Sequence, residues 1–457
     1  MNRRELLKNG AVALTAAATK PLFAWQGANN RVRMAVIGMG NRSGRVFDSL
    51  TRYDDVQFTM GCEVAETKQQ SFQNPALGPR PLAEKLTVVG DYRRVLERND
   101  IDAVLIGTPD FSHARITADA LAAGKHVYVE KPISNSVARI NMMLDAYDKY
   151  PNVVVQVGTQ QRSWDHFIDA KKQMEKLGSV THVLIAHGGA YGANKQDVAE
   201  VPPGLDWNAW QTDVPKRPYK PGYTSFRSWW EYGSGLVGDW GAHHIDVANW
   251  FMNADNKQPL KTTALGFYSS PTADPESVYS VFSIAWQYDT YMMSFANDVF
   301  PRPNFADPKA PDIEGWGTYF YGSNATLQVN RMGWALRPPV PQTRTRVAPG
   351  AAPGAAAGAA GGGRAGGAPT GGRVGGGGGQ PVEMNIYINP RGAVEEDYPL
   401  HVHTRDFLDK LKAKNRKTNA PMEVGYNSAL PALLALEAMR DNKILGWDPV
   451  AKKSKAL

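Results

Sequence analysis

The chain contains one cysteine in 457 residues. Without a second thiol it can form no intramolecular disulfide, so its stability must come from packing. That residue, Cys62, lies in an apolar run and reads as a small buried hydrophobe, not a reactive thiol. Long apolar runs are also missing. None reaches the roughly 18 residues a spanning helix needs, so no membrane span is expected in the mature protein. Broadly distributed basic charge is missing too. The formal charge is +7, but the first 24 residues hold three of these charges (Arg3, Arg4, Lys8 and Lys20 against Glu5). A Gly/Ala-rich stretch holds the other four, on Arg344, Arg346, Arg364 and Arg373. The remaining body is near neutrality and carries no electrostatic footprint for nucleic acid.

What is present suggests two domains and an export signal. A chain of this length exceeds one small core. Asn2-Arg3-Arg4-Glu5-Leu6-Leu7-Lys8 is a twin-arginine sequence, followed by a mildly apolar stretch from Ala11 to Ala18 and a candidate cleavage position after Ala24. Residues 1–30 are therefore expected to be a signal peptide and linker. The twin-arginine route carries folded proteins and implies a periplasmic or otherwise exported enzyme.

From 31 to 155, short apolar runs alternate with helical stretches. Strands are expected at Val32–Ile37, Val56–Val64, Asp102–Gly107, His126–Val129 and Val153–Gly158. Helices are expected at Gly44–Tyr53, His113–Ala123 and Asn135–Tyr150. This order predicts βαβ units and a doubly wound parallel sheet of Rossmann type. From 156 to 457 the pattern changes. A helix at Phe167–Leu177 and a strand at Val180–His187 are followed by alternating segments such as Val278–Trp286, Tyr291–Ala296 and Thr326–Val329. They predict an α/β domain built on a mostly antiparallel sheet. Helices are expected at Arg405–Leu411 and Ser428–Asn442. Residues 345–382, nearly all Gly, Ala and Pro, read as a disordered insertion.

Three motifs carry chemistry. Gly38-Met39-Gly40-Asn41-Arg42-Ser43-Gly44 joins the first strand to the first helix. Gly38 permits the tight turn, Gly40 lets the backbone approach a pyrophosphate, and the helix N-terminus offers N–H groups to it. The third glycine is displaced: either Gly44 is one residue late or Ser43 replaces it. Glu63 ends the second strand 25 residues after Gly38. A carboxylate there suits a ribose 2′-hydroxyl and repels a 2′-phosphate, which favours NAD over NADP. Arg42 could instead attract a phosphate, and Glu63 could be a solvated strand end.

The second motif is a pair of strand tips, Gly107-Thr108-Pro109 and Glu130-Lys131-Pro132, both at the carboxyl edge where ligands bind. Thr108, Pro109, His113, Glu130 and Lys131 are assigned to the cofactor together with Gly38, Gly40, Asn41, Arg42, Gly44 and Glu63. Lys131 is placed to polarise a substrate hydroxyl. The third motif is Asp239-Trp240-Gly241-Ala242-His243-His244-Ile245-Asp246. Asp239, His243 and Asp246 fall at i, i+4 and i+7 on one helix face. That face could serve proton transfer, hold a divalent metal or be structural. Six of twelve tryptophans, Trp207, Trp210, Trp229, Trp230, Trp240 and Trp250, lie beside it. They suit either sugar stacking or tight packing.

These residues, in this order, resemble the Gfo/Idh/MocA oxidoreductases. The resemblance covers roughly 31–335 and 400–450. It implies an N-terminal Rossmann domain, a C-terminal α/β domain with a large open sheet, and homo-oligomerisation through that sheet. By resemblance Lys131 touches the nicotinamide ribose and the reacting hydroxyl, and His243 is the proton acceptor with Asp239 beside it. Arg162 falls where relatives line the substrate pocket, and Trp240 and Asp246 are assigned there with it. The family generally uses no metal. The departures are Ser43, the additional His244 and the 345–382 insertion. The expected activity is NAD-dependent oxidation or reduction at a hydroxyl of a sugar or polyol with a tightly held cofactor. A redox-neutral glycosidase acting on a glycoside is the alternative.

Overall fold

The computed structural model describes residues 31–72, 85–297, 315–337, 383–386 and 398–457. The twin-arginine segment and the 345–382 insertion lie outside them.

The first domain runs β1 (Val32–Ile37), α1 (Asn41–Thr51), β2 (Val56–Cys62), α2 (Glu66–Phe72), β3 (Thr87–Val89), α3 (Tyr92–Leu96), β4 (Ala103–Ile106), α4 (Asp110–Ala122), β5 (His126–Val129), α5 (Val137–Lys149) and β6 (Val155–Val157). All six strands pair in parallel, in the order β3-β2-β1-β4-β5-β6. β4 is buried along its whole length because helices cover both faces of the sheet. Strand order reverses between β1 and β4, so a ligand crevice opens at their carboxyl ends. The segments α2, β3 and α3 were not anticipated, because elements of three to seven residues show no readable period.

The second domain contributes α6 (Asp165–Gln173), β7 (Val180–Ala186), α7 (Trp207–Trp210), α8 (Gly235–Phe251), β8 (Lys261–Phe267), β9 (Val281–Gln287), β10 (Met292–Ala296), β11 (Gly317–Gly322), β12 (Thr326–Asn330), β13 (Gly333–Arg337) and β14 (Glu383–Ile386). The chain then adds α9 (Tyr398–Lys412), α10 (Met422–Asp441), β15 (Leu445–Asp448) and β16 (Lys453–Ala456). Ten strands form one sheet in the order β14-β13-β12-β11-β7-β10-β9-β8-β15-β16. β7 and β10 pair in parallel and their neighbours are antiparallel. The inner face, with Phe282, Ile284, Trp286, Met293, Phe295 and Phe320, is buried in one core with residues of α8 and α10. Leu265, Phe267, Met292 and Tyr321 stand exposed on the outer face.

Two helices differ from expectation. α10 starts at Met422 rather than Ser428 and carries Pro431 in its interior. Proline has no N–H, so the Asn427 carbonyl loses its normal helical donor. Asn249 Nδ2 on α8 donates to that carbonyl instead, at 3.0 Å. α9 follows the insertion yet returns to the first domain. Its Leu400, Phe407, Leu408 and Leu411 pack with Val32, Met34, Val36, Val46 and Phe47. Ser49 Oγ hydrogen-bonds His401 Nδ1 and Thr404 Oγ1, each at 2.7 Å. Cys62 is buried, and desolvation pushes its thiol up to about 12, as suits a packing residue. Among the described residues, no helix is long and apolar enough to cross a membrane.

Candidate active site

The glycine turn is built by close approach. Gly38 has φ +85°, and a Cβ there would lie 2.8 Å from the Thr108 backbone nitrogen. No side chain other than hydrogen fits this turn. Gly40 and Gly44 face open space. The helix-to-strand contact is made by Ser43, which is fully buried and donates through Oγ to the Gly107 carbonyl at 3.1 Å. A Cβ on Gly107 would lie 2.0 Å from that hydroxyl. Ser43 therefore holds the third position of the motif, and Gly107 provides the missing space. α1 opens at Asn41 with no side-chain cap and no acid in its first turn, leaving its N–H groups available to a phosphate.

Glu63 is tied to this turn. Its Oε2 accepts the Met39 N–H at 2.8 Å, and Oε1 accepts those of Val64 and Ala65 at 2.8 and 3.0 Å. Arg42 pairs with Glu130 Oε1 at 3.0 Å. His113 links the two strand tips: its ring nitrogens lie 2.7 Å from the Pro132 and Thr108 carbonyls. Pro109 caps α4 without a side-chain bond. The Lys131–Pro132 peptide is cis. The cradle at Gly38 and Gly40, the uncapped α1 terminus and the Glu63 carboxylate together fit a dinucleotide.

At the same edge Lys131 Nζ meets Asp239 Oδ1 at 2.7 Å, joining the first domain to α8. Arg227 Nε lies 3.1 Å from the same oxygen, and the Tyr191 hydroxyl donates to Oδ2 at 2.7 Å. Burial alone would raise the Asp239 carboxyl, but Lys131 and Arg227 outweigh it and hold the group well below the usual carboxylate range. Asp239 is thus a fixed negative charge in the described residues, held by Lys131, Arg227 and Tyr191 rather than by His243. One turn along, His243 is buried, and its Nδ1 has no hydrogen-bond partner among the described residues. Burial, then the positive charges of Lys131, Arg331 and Arg42, push the imidazole far below the ordinary histidine value. It is neutral at physiological pH and able to accept a proton. Ser234 donates to the buried Asp110 carboxyl at 3.0 Å.

An aromatic wall stands next to His243. Trp240 stacks on His187 at 4.2 Å between ring centroids, and Trp316 lies edge-on to Trp240 at 6.0 Å. The Arg331 guanidinium sits 4.6 Å above the Trp240 ring. His244 turns away, bonding Thr318 Oγ1 at 3.0 Å and His187 Nδ1 at 3.3 Å. The other tryptophans are mainly packing residues. Trp207, Trp210 and Trp229 cluster with Phe111, Tyr219, Tyr223 and Tyr232, leaving Trp240 as the one of the six beside His243.

Arg162 and Asp246 are brought together rather than spread around a pocket. Arg162 Nε lies 2.9 Å from both Asp246 carboxylate oxygens, its Nη2 reaches Asp255 at 2.6 Å, and Ser428 donates to Asp246 at 2.8 Å. With side-chain exposures of 4% and 1%, this pair ties the turn at Gln160–Ser163 to α8, and Ser428 adds α10 to the same contact. Sequence reasoning passed over Tyr191, Arg227, Trp316 and Arg331, which come from irregular segments or turns without periodic spacing. The only local signal was the aromatic run around Arg227. Among the described residues, no cluster of three or more His, Cys, Asp or Glu could hold a metal ion.

Comparison with known proteins agrees with this geometry. Residues 32–159 match the NAD-binding Rossmann fold of the Gfo/Idh/MocA oxidoreductases, and residues 189–316 match the C-terminal α/β domain of that family. A glycosyl hydrolase family 109 protein of Solibacter usitatus is 31% identical over 113 residues, covering 24% of this chain and 26% of that protein. Inositol 2-dehydrogenase of Salmonella typhimurium is 23% identical over 167 residues, covering 36% of this chain and 40% of the relative. These matches therefore span well under half of either relative. The structure of levoglucosan dehydrogenase in complex with NADH and L-sorbose superposes with a TM-score of 0.59 at 15% identity, covering 91% of this chain and 99% of the other. Matched by both domain families over more than half of its length, the chain belongs to the Gfo/Idh/MocA oxidoreductase family.

Proposed function

We propose that this oxidoreductase acts on a hydroxyl of a sugar or polyol with NAD as its cofactor. The observation that carries the proposal is the 2.7 Å Lys131–Asp239 pair beside a buried, neutral His243 at the carboxyl edge of the sheet. When bound, the nicotinamide ring supplies the hydride-exchanging centre. In the oxidative direction His243 takes the hydroxyl proton, and Lys131 Nζ stabilises the negative charge that develops on oxygen. Asp239 keeps Lys131 in place, and Tyr191 and Arg227 keep Asp239 in place. Trp240 and Trp316 offer flat apolar faces to sugar C–H groups. Two features favour NAD over NADP: Glu63 at the end of β2, and Arg42 engaged with Glu130 instead of waiting for a 2′-phosphate.

The twin-arginine start supports export in the folded state with the nucleotide tightly held, since NAD is scarce outside the cytoplasm. The exposed outer face of the ten-stranded sheet supports a homo-oligomer formed there. A second reading, a redox-neutral glycosidase, is favoured by the similarity to the family 109 glycosyl hydrolase. Oxidation at a ring carbon would acidify the neighbouring C–H, permit loss of the aglycone, and be reversed after water addition. Mass spectrometry of nucleotide released from denatured protein, followed by a panel of sugars and aryl glycosides, tests both readings. Net NADH formation supports the dehydrogenase, whereas aglycone release without net NADH supports the glycosidase. Absence of any bound or binding dinucleotide sinks both.

A further inference from the structure

The 48 residues between β7 and α8 form an excursion that the chemistry above only partly uses. Part of it returns to the first domain. The Asp206 N–H donates to the Val64 carbonyl at 2.9 Å, and the Glu66 N–H donates to the Gly204 carbonyl at 2.8 Å. Ala65 and Leu205 thereby form an antiparallel bridge. Val64 and Ala65 directly follow Glu63, so this bridge sits on the tip of β2. A second anchor lies across the sheet. Phe111, fully buried in the first turn of α4, packs 5.2 Å from Trp210 and 5.5 Å from Tyr232. A third ties Arg139 on α5 to Asp213, whose carbonyl accepts from Nη2 at 2.9 Å.

These anchors flank the crevice. β2 lies on one side of β1, while α4 leaves the tip of β4 on the other. A segment pinned to both joins the two sides of the point where strand order reverses, where such sheets take a dinucleotide. We infer that residues 204–232 form a clasp over the dinucleotide crevice, and that nucleotide exchange requires the β2 anchor to open. This rests on the proposed NAD-binding role and adds to it a physical cause for retention. The cross-domain bridge consists of two backbone hydrogen bonds, so it can open without unfolding either core, whereas the aromatic anchor stays packed.

A reversible latch tests the clasp. The hydrogen bonds flanking Ala65 and Leu205 make them a non-hydrogen-bonded antiparallel pair, for which Cα atoms lie about 4.5 Å apart. That spacing is within the disulfide range of roughly 4.4–6.8 Å. The full chain carrying Ala65→Cys and Leu205→Cys is loaded with NAD and chased with excess fluorescent NAD analogue, oxidised and then reduced. Release at least tenfold slower in the oxidised form supports the clasp, and equal rates in both forms overturn it. Asp206→Pro removes the N–H donated to Val64 at a residue whose φ of −77° proline accepts. It should speed release at least tenfold; an unchanged rate overturns the clasp. If neither variant folds, the unaltered protein decides: the Glu66 and Asp206 amides should exchange hydrogen more slowly after NAD loading, and no change overturns the clasp. If the protein binds no dinucleotide, the proposed function fails as well. If it binds one and releases it indifferently to the latch, only the clasp fails.

Discussion

Lys131 and Asp239, 108 positions apart in sequence, meet at 2.7 Å and lock the tip of β5 to the first turns of α8. Both are about nine-tenths buried, so each depends on the other for its charge to be tolerated there.

Removing one partner should therefore affect more than chemistry. Asp239→Ala leaves Lys131 and Arg227 facing each other in a buried site. A loss of roughly 3–5 kcal/mol in unfolding free energy is expected from such a broken pair. Lys131→Met should lower kcat on the order of 10²–10⁴-fold, the usual contribution of a positioned proton-handling or charge-stabilising group. Denaturant unfolding and steady-state kinetics measure the two effects. Lys131→Met with full activity would show that the site has lost its enzymatic role.

The pH profile follows from His243. Its imidazole is held far below the ordinary value of about 6.5 by burial and the nearby cations. The acid limb of kcat/KM in the oxidative direction is expected below pH 6.5, with full activity at neutrality. Arg331→Gln removes one of those cations and should move the limb upward. A limb at or above pH 6.5 in the parent protein would argue against His243 as the base.

Stability should fall on mild acidification. Burial pushes His166, His187 and His403 down to about 4. Their unfolded forms take protons near pH 6.5, so the unfolded state binds more protons below that value. The folded state therefore loses stability progressively from about pH 6.5 towards pH 4. Thermal melts at pH 7, 6 and 5 should show a steady decline in Tm. A Tm flat across this range would contradict it.

Ser43 and Gly107 should behave as one unit. Gly107→Ala puts a methyl group against the Ser43 hydroxyl and is expected to cost about 1–3 kcal/mol through overpacking. Adding Ser43→Gly should restore most of the loss, a coupling that a double-mutant cycle measures. Purely additive effects would mean that the contact at this turn is slack.

Asn249 and Pro431 offer a second coupled pair. Asn249→Leu orphans the Asn427 carbonyl, with an expected cost of roughly 1–3 kcal/mol. In a Pro431→Ala background the helix can satisfy that carbonyl itself, so the same substitution should cost less.

The parts of this protein that repeat with a period were readable in its sequence. β1, β4 and β5 are short apolar runs, and their tips carry Gly38, Thr108 and Lys131 because a parallel sheet places every carboxyl end on one edge. Asp239 and His243 were readable for a similar reason, since helical spacing sets them on one face. Asp246 shares that spacing, but its ion pair with Arg162, which comes from a different element, is made only by the tertiary fold. Tyr191, Arg227 and Arg331 reach the site from loops, where nothing in the local sequence announces direction. α10 was read six residues short at its start, and the Asn249 side chain that makes Pro431 tolerable inside it lies 178 positions from the carbonyl it satisfies.

The return of α9 to the first domain has a consequence for biosynthesis. Ser49 and His401 are 352 positions apart, and the apolar faces of β1 and α1 are covered by Leu400 and Phe407. A growing polypeptide therefore cannot finish the first domain until α9 has left the ribosome. The amino-terminal half should remain open, adhesive and unable to retain nucleotide throughout synthesis. Residues of α9 supply that cover, so deleting α9 should abolish nucleotide binding by the first domain.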